Sequence, residues 1–119
     1  MADIKRTVAG DLLQSKAILL EPAQPFTWAS GWKSPIYCDN RLSLSFPSVR
    51  SQIKHALCRA ITGNYQQVEA IAGVATAGIP QGALVADGVG LPFVYVRSKP
   101  KGHGMENLIE GLVTPGQKG

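Results

Sequence analysis

The chain has 119 residues, of which 45% are hydrophobic and 17% are charged, and this composition is typical of one folded domain with a hydrophobic core. Its net charge of +4 is as compatible with an anionic small molecule as with nucleic acid. No apolar run reaches the length of a membrane span, no signal peptide is evident, and the two cysteines, Cys38 and Cys58, lack the spacing of a metal site. We therefore expect a reduced, cytoplasmic protein without a membrane segment.

The N-terminal part of the chain predicts one helix followed by short extended segments. Apolar residues recur at helical spacing between Ile4 and Lys16, with Asp3 as the N-cap, and a short apolar run then indicates a strand or a helix exit. From Pro25 to Leu44, aromatic residues alternate with hydroxyl groups, a lysine and an aspartate, and turn signals divide this stretch into two extended segments. Two interpretations stay open: the aromatic side chains form a ligand wall, or they pack an antiparallel hairpin onto the core.

The middle of the chain predicts an α/β core. Its apolar patterns and turn signals indicate a helix, a buried strand, a second helix and a second buried strand, which span residues 45–64, 68–74, 79–87 and 92–96. Because a strand–helix–strand connection is right-handed, we expect the two strands to lie parallel in one sheet.

Two loops follow the carboxyl ends of these strands, where ligands bind in open α/β sheets. The first loop, Val74-Ala75-Thr76-Ala77-Gly78, has no large side chain. Its backbone can therefore approach a phosphate group at the start of the next helix. A tight packing turn between strand and helix is the equal alternative.

The second loop is cationic and has alternating basic residues at Arg97, Lys99, Lys101 and His103. No acidic residue lies between Val89 and Met105, and in an extended segment the four side chains share one face. Such a ladder fits a polyanion such as pyrophosphate, although a solvated basic hairpin tip is the other interpretation. A strand predicted over residues 106–113 makes this loop the flexible tip of a β-hairpin.

Three motifs carry a resemblance to a known family: FTWASGWKSPIY at residues 26–37, AGVATAGIP at 72–80 and YVRSKPKGHG at 95–104. In this order and at this spacing they resemble the orotate phosphoribosyltransferases, and the resemblance covers nearly the whole chain. It implies an α/β fold of the type I phosphoribosyltransferase kind, a Rossmann-like parallel sheet flanked by helices, with an N-terminal hood hairpin and a flexible β-hairpin loop. Family members are nearly twice as long, so we expect an N-terminal fragment that lacks the C-terminal part of the fold.

The domain organisation expected from this resemblance is a single domain over residues 1–119. Residues 1–45 form the N-terminal helix and hood. Residues 46–119 form a partial α/β core with a mobile loop over 98–107.

The resemblance implies that orotate and 5-phosphoribosyl 1-pyrophosphate are converted to orotidine 5′-monophosphate and pyrophosphate, in de novo pyrimidine (UMP) biosynthesis. It implies Mg²⁺ as the cofactor, bound mainly through the phosphoribosyl pyrophosphate, with no protein metal site in this chain. It also implies a homodimer in which loop 97–103 acts across the interface, and no nucleic-acid or membrane partner. Since the loop that grips the ribose 5-phosphate falls beyond Gly119 in the family, we expect these residues alone to be inactive.

The resemblance also assigns roles to residues. It gives Lys101 and His103 as catalytic residues, and it gives the phosphoribosyl pyrophosphate contacts as Arg97, Lys101, His103, Thr76, Ala77 and Gly78. Tyr37 and Cys38 align with aromatic positions that flank orotate, so that Cys38 makes a thinner wall.

Departures from the family occur mainly at lysine positions. Ser98 and Ala29 fall where other members have lysine, and Thr76-Ala77 replaces a tyrosine–lysine pair of some members. Lys99 can take over the charge that Ser98 lacks.

Two other functions stay open. One is a non-catalytic relative that senses a phosphorylated nucleotide, against which the intact Arg97, Lys101 and His103 argue, because they serve the expulsion of pyrophosphate. The other is nucleic-acid binding, against which the lack of stacking aromatic residues beside the charges argues.

Overall fold

The computed structural model describes residues 3–99 and 108–119, which fall into two compact units divided within one helix, between Ile53 and Lys54. No helix in this part of the chain is long and apolar enough to cross a membrane. The described elements are, in order, α1 (Ile4–Gln14), β1 (Ile18–Leu20), β2 (Phe26–Thr27), β3 (Lys33–Ser34), β4 (Ile36–Cys38), a 3-10 helix (Asn40–Ser45), α2 (Pro47–Asn64), β5 (Ile71–Val74), α3 (Gly78–Val89), β6 (Phe93–Val96) and β7 (Ile109–Glu110).

The first unit contains α1 and two short antiparallel strand pairs. The carboxylate of Asp3 accepts the Lys5 backbone N–H at 3.1 Å, so the predicted N-cap of α1 is confirmed. Strand β1 pairs with β4, and β2 pairs with β3 around a turn in which the Trp28 N–H donates to the Trp32 carbonyl at 2.7 Å. The turn closes through Gly31, whose φ of 88° is a conformation that glycine adopts without strain.

The second unit contains a three-stranded sheet in the order β5-β6-β7. Strands β5 and β6 are parallel, with Ile71 opposite Phe93, and β6 and β7 are antiparallel, with Tyr95 opposite Glu110. The predicted parallel pair joined by a helix is therefore confirmed, as is the hairpin that begins with β6.

Strand β5 is shorter and more exposed than the sequence indicates. It begins at Ile71 rather than at residue 68, because the N–H groups of Glu69 and Ala70 both donate to the Lys118 carbonyl, at 2.7 and 3.2 Å. Val74 is 67% exposed, whereas Val94 on β6 is 4% exposed. Within the described ranges β5 pairs only with β6, so the expected full burial applies to the central strand and not to β5.

Helix α3 lies very close to the β5–β6 pair because small residues line the contact. A Cβ atom at Gly82 would lie 2.7 Å from the Phe93 ring and 3.2 Å from the Cα of Gly73, and a Cβ atom at Gly73 would lie 2.7 Å from the Gly78 carbonyl oxygen. The Phe93 ring fills the space that two missing side chains leave. This contact fixes where α3 begins relative to the strand ends.

Replacement of Gly82 by alanine tests this contact. We expect Gly82→Ala to lower the free energy of unfolding by about 1–3 kcal/mol, since overpacking against Phe93 and Gly73 outweighs the gain in helix propensity. Gly63→Ala in α2 is the matched control, because no atom lies within 4 Å of a Cβ there, and it should not lower stability. Urea unfolding followed by circular dichroism measures the free energy of unfolding of each variant. An equal loss of stability in Gly82→Ala and Gly63→Ala would contradict the close packing at Gly82.

Candidate functional site

Two loops leave the carboxyl ends of neighbouring parallel strands. Strand β5 ends at Val74 and β6 ends at Val96, and the Ala75 N–H donates to the Val96 carbonyl at 2.8 Å. This bond ties the first residue of one loop to the last residue of the other strand. The backbone thus brings Thr76 and Arg97 to the same edge of the sheet, where ligands bind in this class of fold.

The loop of residues 75–77 leads directly into α3 and contains a cis peptide bond between Ala75 and Thr76. Thr76 and Ala77 are exposed, and Gly78 is half-buried. Ala77 occupies the N-cap position and provides no side-chain cap, while the Ile79 N–H donates to the Thr76 carbonyl at 3.2 Å. The start of α3 therefore has backbone N–H groups without a side-chain acceptor from its cap, an arrangement suited to a phosphate group.

Arg97 is held at the base of the β6–β7 hairpin. Its backbone N–H donates to the Leu108 carbonyl at 2.7 Å, and its side-chain Nε donates to Glu110 Oε1 at 3.0 Å. The guanidinium carbon lies 5.5 Å from the centroid of the Tyr95 ring, and Nη2 lies 3.4 Å from the Tyr95 hydroxyl oxygen. The hydrogen bond to Glu110 raises the pKa of Arg97.

Glu110 is the residue at this site that the sequence interpretation missed. In the observed register it faces Tyr95, which makes it the diagonal neighbour of Arg97, within reach of a long side chain. The register depends on the turn that joins the two strands, which periodicity does not fix. The opposite charges on the two arms of the predicted hairpin are the signal that could have found this pair.

Of the other three basic residues in the cationic loop, the structure describes only Lys99. Lys99 is exposed. Lys101 and His103 lie outside the described residues, as do residues 100–107 of the predicted mobile loop.

Tyr37 and Cys38 lie side by side on β4 in the first unit, and as successive strand residues they point to opposite faces. The Tyr37 ring packs against Phe26 and Trp28, with centroid distances of 5.5 and 5.9 Å. Cys38 is exposed, and its thiol donates to the Asn40 side-chain oxygen at 3.2 Å. The three rings therefore contact one another, while Trp28 is 42% exposed and Trp32 is 75% exposed, so neither tryptophan is packed into a core.

A bidentate ion pair follows β4. The guanidinium of Arg41 donates from Nε to Asp39 Oδ1 at 2.8 Å and from Nη2 to Oδ2 at 2.9 Å. Asp39 also caps the 3-10 helix by accepting the Arg41 backbone N–H at 3.1 Å. These hydrogen bonds, led by that of the Arg41 side chain, lower the pKa of Asp39.

The described residues show where possible metal ligands and one cavity of the second unit lie relative to the two loops. Among residues 3–99 and 108–119, no three His, Cys, Asp or Glu side chains come together as possible metal ligands. A cavity of about 570 Å³ lies beside the start of β5, and its lining contains none of the predicted site residues: Ile61, Tyr65, Gln67, Val68, Ala70, Ile71, Ala72, Lys118 and Gly119.

Comparison with known proteins identifies relatives along nearly all of the chain. An orotate phosphoribosyltransferase of Bacteroides fragilis is 63% identical over 118 residues, which are 99% of this chain and 56% of the relative. That of Lactococcus lactis subsp. lactis is 59% identical over 115 residues, which are 97% of this chain and 55% of the relative. The chain is homologous to orotate phosphoribosyltransferases. It spans about half the length of the curated relatives it matches, and no model of a protein family matches it.

Solved structures of an orotate phosphoribosyltransferase and of a UMP synthase share this fold. The enzyme of Aeropyrum pernix is 33% identical with a TM-score of 0.71, and the match covers 87% of this chain and 56% of that one. UMP synthase of Leishmania donovani is 25% identical with a TM-score of 0.73, and the match covers 98% of this chain and 23% of that one. The predicted type I phosphoribosyltransferase-like α/β fold is therefore confirmed, and the matched part of this chain corresponds to 56% of the Aeropyrum pernix chain.

The Asp39–Arg41 pair predicts a pH effect. Because the pKa of Asp39 is lowered in the folded state, the pair stabilises the fold above the unfolded-state pKa, and this contribution is lost as the pH falls through the folded-state pKa. We expect Arg41→Gln to return the pKa of Asp39 towards its ordinary value, measured by NMR titration of the carboxyl carbon. Lys33→Gln removes one positive charge from the same unit and should leave the pKa of Asp39 unchanged. An equal shift of this pKa in both variants would contradict its assignment to the Asp39–Arg41 pair.

Proposed function

We propose that this chain acts in the orotate phosphoribosyltransferase reaction, in which orotate displaces pyrophosphate from 5-phosphoribosyl 1-pyrophosphate to give orotidine 5′-monophosphate, a step in pyrimidine (UMP) biosynthesis. The bond between the ribose and the pyrophosphate breaks, and a bond between the ribose and orotate forms. The observation that carries this proposal is the Ala75–Val96 hydrogen bond, which joins a phosphate-compatible loop to the last residue of the strand that precedes Arg97. The 63% identity to an enzyme of this name supports it.

The proposed division of labour follows from the two loops. Thr76, Ala77 and Gly78 are proposed to offer backbone N–H groups on one side of the pyrophosphate, and Arg97 from a second copy of the chain is proposed to offer a guanidinium on the other. Lys101 and His103 are proposed, from the resemblance, to stabilise the negative charge that develops as pyrophosphate leaves. Donors of this kind act most strongly where water is excluded.

Mg²⁺ is proposed to enter with the substrate. The carboxylate at this edge of the sheet, Glu110, is bonded to Arg97, and the described residues do not bring three metal-binding side chains together. Phosphate oxygens are the ligands that Mg²⁺ prefers, so the ion fits the phosphoribosyl pyrophosphate better than it fits this half of the fold. When bound, it neutralises charge on the pyrophosphate.

The remaining assignments of the resemblance are part of the same proposal. Tyr37 and Cys38 are proposed to contact orotate, and loop 97–103 to act on the site of a second subunit in a homodimer. Residues 1–45 are proposed as the N-terminal helix and hood, and residues 46–119 as a partial core within one domain. The free thiols of Cys38 and Cys58 suit a reducing cytoplasm.

A hybrid enzyme tests the proposed reaction. The chain would replace the matching 118 residues of the Bacteroides fragilis relative, so that the remainder of that enzyme completes the fold. We expect turnover that depends on orotate, phosphoribosyl pyrophosphate and Mg²⁺, followed as loss of orotate absorbance, and no turnover by the 119 residues alone. A folded hybrid without turnover would contradict the proposed reaction.

Lys101→Ala in the same hybrid tests the leaving-group role. We expect kcat to fall by about 10²–10³, as for loss of a group that acts on developing charge, with little change in the KM for orotate. Lys99→Ala is the matched control and should lower kcat much less. Equal losses in kcat and in orotate binding would contradict this role for Lys101.

A further inference from the structure

We propose that Glu110 is a positioning residue that orients the guanidinium of Arg97 towards pyrophosphate, an inference that rests on the proposed function. Glu110 binds Arg97 at Nε, along one edge of the guanidinium. The carboxylate thus occupies the Nε–H donor, and the terminal nitrogens make no hydrogen bond to it among the described residues. The carboxylate thus acts on the pyrophosphate only through Arg97.

The hydrogen-bond inventory of Arg97 leaves donors for a ligand. A guanidinium has five N–H donors, of which Glu110 takes the one at Nε. The contact from Nη2 to the Tyr95 hydroxyl is long, at 3.4 Å, and Nη1 has no polar partner among the described residues. The free edge matches two oxygens of a phosphate group, which arginine binds in bidentate fashion.

The side chain of Arg97 lies on the face of the sheet that carries α3. Pairing of β6 with the opposite arm continues to Arg97, whose N–H donates to Leu108, so alternation places Phe93, Tyr95 and Arg97 on one face. The Phe93 ring contacts the position of Gly82 in α3, which identifies that face. Arg97 therefore lies on the same face of the sheet as α3.

The position of Glu110 is fixed by the backbone that follows it. Gly111 has a φ of 120°, which side chains rarely adopt, and a Cβ atom there would lie 2.7 Å from Val94 Cγ1. The backbone at Gly111, directly after Glu110, is thus in close contact with Val94 on β6. This close approach and the pairing with Tyr95 hold the carboxylate in one place relative to Arg97.

Charge repulsion and side-chain orientation predict opposite effects of removing Glu110 on pyrophosphate binding. A carboxylate near a pyrophosphate site repels the ligand, so its removal should strengthen binding if charge alone matters. If instead Glu110 orients Arg97, its removal frees a long, flexible side chain and weakens binding. The sign of the change in affinity separates the two roles.

The test titrates inorganic pyrophosphate with Mg²⁺ into the full 119-residue chain by isothermal calorimetry at 0.15 M salt. Glu110→Gln keeps an oxygen acceptor and should bind within about threefold of the unsubstituted chain. Glu110→Ala should bind about tenfold more weakly, and Glu110→Asp, which keeps the charge but not the reach, should lose a similar factor. The NMR signal of the Arg97 Nε–H should exchange slowly with solvent in Glu110→Gln, where an acceptor remains, and faster in the other two variants.

Asp87→Asn is the charge-matched control, because Asp87 lies nine residues into α3, about 14 Å from its start. It should bind pyrophosphate as the unsubstituted chain does. The positioning role of Glu110 would be overturned by any of three results. Glu110→Ala could bind pyrophosphate as tightly as the unsubstituted chain or more tightly, Glu110→Asp could bind it unchanged, or Glu110→Gln could lose as much affinity as Glu110→Ala. An unsubstituted chain that binds no pyrophosphate would instead overturn the proposed site, and the positioning role with it.

Discussion

The close contact of α3 with the parallel strands β5 and β6 is the constraint on which the rest of the second unit depends. Gly73 and Gly82 contribute no side chains to the contact between helix and sheet, and the Phe93 ring packs against both glycines. With α3 held so near, the connection from β5 has room for only three residues, 75–77. Thr76 and Ala77 in this connection are exposed, so a ligand can reach them.

The cationic segment after β6 is not a uniform array of free charges. Arg97 is bonded to Glu110 and stacked near Tyr95, whereas Lys99 is exposed. A partly shielded ion pair of this kind contributes little to stability by itself. Its proposed value lies in orientation, because an arginine fixed at Nε keeps its terminal donors ready for an anion.

Local patterns predicted the elements of the fold well. Helical spacing from Ile4 and the Asp3 cap identified α1, and the apolar runs around residues 71–74 and 93–96 identified the parallel pair. The lengths of the strands were predicted less well. Strand β5 starts at Ile71 because the preceding N–H groups bond to Lys118, far along the chain, and no local pattern contains that partner.

The sequence by itself determined the order of the elements, the loop with small side chains before α3 and the cationic character of the segment after β6. Periodicity, turn residues and charge are local properties, so they can be read without coordinates. Only the tertiary structure decided that Glu110 holds Arg97, that β5 pairs only with β6 within the described part of the chain, and that Tyr37 packs among rings. These facts depend on strand register and on contacts between residues distant in the chain, which the burial of side chains selects and composition does not encode.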